Sequence, residues 1–269
     1  LALFGGVAKW VRRVTEISRI EDYVDLAFAA AATGRAGPAV LLVPLDILDE
    51  LSEGVNRTPR QASLGRYPLD PVAPDPARVA EAANLLAGAE RPLVMMGAVA
   101  SRPRLAAGLS DFVRRTQIPF FTTQTGKGSV GGGTNLYMGT AALSERDYVH
   151  DAIDRADLIL AIGHDTVEKP PFIMGERGPK VIHVGYTPAS VEQVFFPHAE
   201  VVGDVGPSLA LLADRLEGKL KTASALAPLR KQRCARHVLA FQQALQRRQP
   251  VAVVVHAGVG LAARLHRGN

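Results

Sequence analysis

The sequence predicts an α/β protein built around a doubly wound parallel sheet, with incomplete α/β pieces on either side of it. Three observations predict this. Strand and helix signals alternate from residue 77 to 217. The strand signals are short, continuous apolar runs rather than alternating ones, which two-sided burial between helices demands. A glycine or another small residue follows several of those runs, and the ligand crevice of a doubly wound sheet lies at the carboxyl ends of its strands.

The elements follow in order. A helix-like run from Ile20 to Ala32 is stopped by Gly34 and Gly37-Pro38, and an apolar strand, Ala39 to Val43, is closed by Pro44. Glycine ends helices and β-branched residues favour strands, so residues 1–50 read as one helix–turn–strand unit. One helix and one strand cannot bury their apolar faces alone, and the unit is expected to belong to a larger sheet. Residues 51–76 carry Pro59, Pro68, Pro71, Pro74 and Pro76 and read as an extended linker. Then come a helix from Pro76, strand Pro92–Met96, a helix near Leu105–Thr116 and strand Pro119–Thr123. A helix near Asp147–Arg155 precedes strand Leu158–Ile162. Strands Lys180–Val184 and Glu200–Val202 follow, and a helix from Pro207 to Leu216 closes the domain. Residues 218–249 read as a basic helical linker, and residues 250–269 as one strand and the start of a further unit.

This alternation places a binding edge at the strand ends: Gly97, Thr123-Gln124, Gly163-His164-Asp165, Gly185-Tyr186 and Asp204. Each has a plainer reading. His164 and Asp165 also suit a hydrogen-bonded turn pair. His183 lies inside a strand and reads as a core histidine, and Glu168 with Lys169 reads as an exposed ion pair. Tyr186 suits either stacking on an adenine or packing under the Phe195-Phe196 turn. Gly131 to Gly133 read as a loop, because no Lys-Ser/Thr pair opens a helix after them.

Composition bounds the function. The 269 residues are 47% hydrophobic and 21% charged, an ordinary globular balance. The first residues show no basic segment followed by a long apolar block, and no run approaches a membrane span, so a cytoplasmic, non-membrane protein is expected. The single cysteine, Cys234, excludes an internal disulfide framework and a cysteine-based zinc site. Net charge is +5, but the densest basic cluster, Arg230, Lys231, Arg233 and Arg236, has no interleaved aromatic residues. A solvated helix face explains it better than nucleic acid.

Several segments resemble one family. Gly34-Arg35-Ala36-Gly37-Pro38-Ala39-Val40 followed by Val43-Pro44-Leu45-Asp46 is similar to the end of the pyrimidine-binding domain of thiamine-diphosphate enzymes. Arg91 to Gly97, Thr116 to Gln124, Gly126-Lys127-Gly128, Gly139 to Leu143, Ala156 to Gly163, Val181 to Val184 and Gly203-Asp204-Val205 resemble the Rossmann-like central domain of acetolactate synthase large subunits. The resemblance runs in one consistent order from roughly Leu3 to Leu216, and the ordered set carries it rather than any single motif.

The resemblance implies a homodimeric or homotetrameric parent that decarboxylates a 2-oxo acid such as pyruvate on thiamine diphosphate and Mg²⁺, then ligates the product. It also implies that those coenzyme sites lie outside this stretch. The family's activating glutamate and its Gly-Asp-Gly…Asn motif are not found, and Gly203-Asp204 is followed by Val205. No catalytic residue and no metal ligand is therefore assigned, and the chain by itself is expected to be inactive. In flavin-containing relatives the central domain binds FAD, which would draw on the edge residues above together with Gly139 and Thr140. Against FAD, Gly185 stands where such relatives carry an acidic residue, and Gly163 to Glu168 looks like the flavin-free catabolic branch. The alternatives are another thiamine-diphosphate decarboxylase or lyase, a non-catalytic FAD, ADP or NAD module, and a truncated product with exposed sheet edges.

Overall fold

The computed structural model describes residues 2–51, 71–131, 133–141, 148–164, 178–190 and 196–221. The chain divides into two compact units, residues 1–74 and 75–269.

The first unit pairs two parallel strands, β1 (Trp10–Arg13) and β2 (Ala39–Leu42), in the register Trp10 to Ala39 through Arg13 to Leu42. Between them runs α1 (Ile20–Ala32), and a short helix, α2 (Leu45–Leu48), follows. Strand β1 is an addition to the predicted elements. Arg12 and Arg13 interrupt its apolar run, so its sequence carries no strand signal of its own. The Lys9 ammonium donates to the Arg35 carbonyl at 3.0 Å and also to the Thr33 carbonyl, closing the turn after α1.

The second unit is a six-stranded, wholly parallel sheet. Its strands are β3 (Pro92–Met96), β4 (Phe120–Thr122), β5 (Tyr137–Thr140), β6 (Leu158–Ile162), β7 (Lys180–Gly185) and β8 (Ala199–Val202). The spatial order is β5-β4-β3-β6-β7-β8. The chain therefore winds outward from β3 to one edge, returns to its other side at β6, and winds to the opposite edge. This is the doubly wound dinucleotide-fold order, and its switch point lies between β3 and β6.

Four described helices cover the sheet: α3 (Pro76–Gly88), α4 (Ala106–Thr116), α5 (Tyr148–Arg155) and α6 (Val205–Leu216). Successive residues of each strand point to opposite faces. Val94, Met96, Phe120, Leu160, Ile162, Ile182, Val184 and Val201 pack with α3, α4 and α6. Leu93, Met95, Phe121, Ile159, Ala161 and Val181 pack with Val149, Ala152 and Ile153 of α5. Strands β3 and β6 are buried along their whole length, the condition that produces continuous apolar runs in sequence.

Local chemistry sets the helix ends. The Asp75 carboxylate accepts from the Ala77 amide at 2.8 Å and Pro76 opens α3, an N-cap followed by a proline at the first helical position. Helix α4 stops at Gln117, whose φ of 55° is left-handed. At the amino edge of the sheet, the Asp157 carboxylate accepts from the Glu90 and Arg91 amides at 2.8 and 2.9 Å, tying the start of β6 to that of β3.

Candidate functional site

All the strands are parallel, so their carboxyl ends share one edge, and the predicted site residues are distributed along it. Gly97 follows β3, Thr123 and Gln124 follow β4, and Gly139 and Thr140 lie within β5. Gly163 and His164 follow β6, Gly185 ends β7 with Tyr186 after it, and Asp204 follows β8. Asp165 lies outside the described residues, as do Glu168, Lys169 and Phe195.

At the switch point the backbone is tightly packed. The Gly97 amide donates to the Ile162 carbonyl at 2.9 Å, and the Val99 amide to the Gly163 carbonyl at 3.1 Å. Gly163 has a φ of 60°, and a Cβ there would lie 2.5 Å from the Val99 Cβ. Gly126 is closer still: a Cβ on it would lie 2.0 Å from the Met96 carbonyl oxygen. The Thr123 amide donates to that oxygen at 3.0 Å, and the Thr123 hydroxyl accepts from the Gly126 amide at 3.0 Å. Thr123 thus folds the β4 loop over the end of β3. Gln124 is exposed beside it.

These contacts test the dinucleotide pose directly. A pyrophosphate at a switch point rests on a glycine-rich strand-to-helix turn. Here the turn reads Gly97-Ala98-Val99-Ala100-Ser101 and forms a 3-10 turn, and α4 begins only at Ala106. Val99, where that cradle needs a glycine, packs against Gly163. The residues present do not fit FAD or NAD bound through its pyrophosphate in that manner.

Toward the β5 edge, three hydroxyls meet. Thr140 Oγ1 is 3.0 Å from Thr122 Oγ1 and 2.8 Å from the Tyr137 hydroxyl. Gly139 and Thr140 are paired with β4, with Phe121 opposite Gly139. Met138 is the additional residue of a bulge between Phe120 and Phe121, and Gly139 carries the unusual φ of 127° there. The sequence predicts no strand here; Gly139 and Thr140 enter only through the family resemblance, as residues FAD would draw on. Gly139 in fact sits within a strand, and the short β5, with its glycine, lacks an apolar run that would announce it.

Toward β7, His183 is buried and its Nε2 lies 3.1 Å from the Thr187 carbonyl. Burial lowers its pKa below the ordinary value, while the hydrogen bond to Thr187 and the charge of Glu200 oppose the shift. Gly185 packs against it: a Cβ there would lie 2.7 Å from Nε2, so a larger residue would displace the His183 ring. The core reading of His183 agrees with this burial. His164 is buried as well. Asp204 is buried at the start of α6 but does not cap that helix with its side chain. Its carbonyl instead accepts from the Ser208 amide and hydroxyl.

Tyr186 meets partners the sequence reading did not anticipate. The Arg102 and Arg104 guanidinium carbons lie 5.4 and 5.6 Å from its ring centroid, and Arg104 donates to its hydroxyl at 2.6 Å. The signal was the Arg102-Pro103-Arg104 triplet in the connection after β3. Nothing in local sequence joins that triplet to a residue some eighty positions later. Among the described residues, no group of three or more His, Cys, Asp or Glu side chains is arranged to hold a metal ion. None of the described helices is long and apolar enough to cross a membrane.

Comparison with known proteins agrees with this architecture. The profile of the family described as thiamine pyrophosphate enzyme, central domain, matches residues 79–212. The chain is 29% identical over 238 residues to the catabolic acetolactate synthase of Raoultella terrigena, an alignment covering 87% of this chain and 42% of that protein. It is 27% identical over 206 residues to the acetolactate synthase of Bacillus subtilis, covering 76% and 35% respectively. The benzoylformate decarboxylase structure from Polynucleobacter necessarius superposes with a TM-score of 0.61 at 21% identity, covering 78% of this chain and 39% of that one. The chain thus spans less than half the length of these proteins. It belongs to the thiamine pyrophosphate enzymes, through the central domain that residues 79–212 form.

Proposed function

We propose that this chain supplies the central domain of an acetolactate synthase-like enzyme that decarboxylates and ligates 2-oxo acids. The observation that carries this is a coincidence of boundaries. The family match, residues 79–212, covers the sheet from within α3 into α6, while the alignment to the catabolic acetolactate synthase extends across most of the chain. In this reading thiamine diphosphate, when bound, supplies the electron sink for decarboxylation, and Mg²⁺ anchors its diphosphate. Among the described residues no carboxylate and histidine group is arranged to hold Mg²⁺, so none of them is given a step. Their work is to form a rigid spacer: two packed faces and a carboxyl edge closed by backbone contacts at Gly126 and Gly163.

FAD is not part of this reading. The crowded turn at Val99, the absence of an acidic residue at Gly185 and the relation to a catabolic synthase all support a flavin-free domain. A second reading, a non-catalytic nucleotide-binding module, draws its support from the strand order alone.

Two measurements separate the readings. Titration of Mg²⁺–thiamine diphosphate into the purified chain, with a pyruvate consumption assay, is expected to show neither binding nor turnover. The genomic sequence around the coding region is expected to encode an activating glutamate upstream and a Gly-Asp-Gly…Asn motif downstream. Flanking sequence with neither would overturn the proposal, and a yellow protein with flavin absorbance would favour the nucleotide module.

A further inference from the structure

We propose that residues 187–189, just after β7, form an acid-opened latch over the carboxyl end of that strand. His183 and Glu200 hold it shut, and it opens when the His183 ring takes up a second proton. The inference rests on the tethers of this segment and not on the enzymatic reading above.

The ladder between β7 and β8 ends where the Gly203 amide donates to the Gly185 carbonyl at 2.9 Å. The chain then crosses the edge of the sheet. Tyr186 packs against the core on the side of α3, α4 and α6, and Ala189 against the core on the side of α5. Thr187 and Pro188 between them are exposed. The tethers come from two neighbouring strands, because His183 of β7 and Glu200 of β8 are partners in the parallel register. His183 Nε2 lies 3.1 Å from the Thr187 carbonyl oxygen, which can only accept, so Nε2 carries the hydrogen. The Ala189 amide donates to Glu200 Oε1 at 2.6 Å. Arg104 holds the Tyr186 hydroxyl on the other flank, so the movable end is Thr187 to Ala189.

Closed, the latch suits the neutral ring. The His183 side chain is buried, and the Gly185 backbone lies close against it. Burial disfavours the charged ring and lowers its pKa, while the Thr187 hydrogen bond and the Glu200 charge oppose the shift. Open, the ring meets water and returns to its ordinary value. The open form therefore binds the proton more tightly than the closed one, and acid shifts the population toward it. Other titratable groups surround the site. On the same side of the sheet α5 carries His150, Asp151 and Asp154, and β6 runs into His164. Lys180 lies at the opposite, amino end of β7, and Arg78 of α3 lies near enough to Glu200 to feel its charge. Glu200 supplies the charge that acts on His183, so its removal makes protonation harder and moves opening to lower pH.

Hydrogen exchange of the full chain tests it, followed by NMR from about pH 8 to about pH 5 and expressed as protection relative to an unstructured amide at each pH. Protection of the Ala189 amide is expected to fall by up to about tenfold for each pH unit below about 6.5. The Val94 amide of β3, bonded to the Pro119 carbonyl, is expected to keep its protection. His183→Gln retains a donor for the Thr187 carbonyl but does not titrate, and is expected to abolish the fall. Glu200→Gln retains an oxygen for the Ala189 amide but removes the charge, and is expected to move the fall to lower pH. This second variant decides the matter if His183→Gln does not fold. Ala189 protection that stays constant across the range would overturn the proposal. So would a fall that Val94 shares, one that persists in His183→Gln, or one whose midpoint does not move in Glu200→Gln.

Discussion

The two units use the same grammar, parallel strands joined through helices, with opposite results. In the second unit the strands of the sheet centre are inaccessible: Leu93, Val94, Met95 and Met96 of β3 and Ile159 to Ile162 of β6 are all 0% exposed. In the first unit, α1 contributes no buried residue, β2 is only half-buried, and Leu26 and Phe28 are 51% and 61% exposed. The difference lies in layer number rather than composition. The central sheet is covered on both faces, whereas two strands and a helix offer too few layers to remove their own apolar side chains from water. An amphipathic helix followed by an apolar strand is therefore evidence about local structure, not about a core.

The comparison breaks most visibly at Gly126. Gly126→Ala places a methyl group on the Met96 carbonyl oxygen, which is backbone and cannot swing aside. The expected destabilisation is more than about 3 kcal/mol, read as a large fall in the urea midpoint of the central domain. A change below about 1 kcal/mol would mean that the loop after β4 is not held against β3 as described.

The contrast between units is sharpened by a pair of truncations. Leu160→Ala opens a cavity between β6 and the helices and is expected to cost about 3 kcal/mol. Leu26→Ala on α1 is expected to change stability by less than about 0.5 kcal/mol, because the side chain is already half in water. Hydrogen exchange checks the same point without mutation. Amides of β3, β6 and β7 should be protected far longer than those of β1 and β2. Equal protection in both units would refute the contrast.

The smallest effect is a pH dependence confined to the central unit. Burial holds the His183 imidazole below its ordinary pKa. The unfolded chain therefore takes up a proton at this group before the folded one does. Its contribution is complete above the unfolded value, about 6.5, and is lost as pH falls through that value toward the lower folded one. The urea midpoint should drop between about pH 7.5 and about pH 5. His183→Gln should flatten part of that slope, and an unchanged slope would place His183 in water rather than in the core.

How far the carboxyl edge was readable depends on which signal each position carries. Gly97, Thr123, Gly163, Gly185 and Asp204 are legible because each directly follows or ends an apolar strand, and a parallel sheet gathers such ends on one side. Their local chemistry was not readable. The glycines at 126 and 163 serve backbone packing, a contact between segments far apart in sequence. Strand β5 carries no legible signal because a bulge and a glycine replace its apolar run, and β1 carries none because arginines fill half of it.

The order of apolar runs and small residues by itself determined the alternation, the parallel sheet and the edge on which ligand-facing groups collect, since those depend on periodicity and on where a strand must stop. Only the tertiary structure decided the strand order, the closure of the switch point by Val99 and Gly126, and the meeting of Arg102 and Arg104 with Tyr186. These are contacts between distant segments, and the energy that selects them comes from close packing and charge at separations no local pattern encodes.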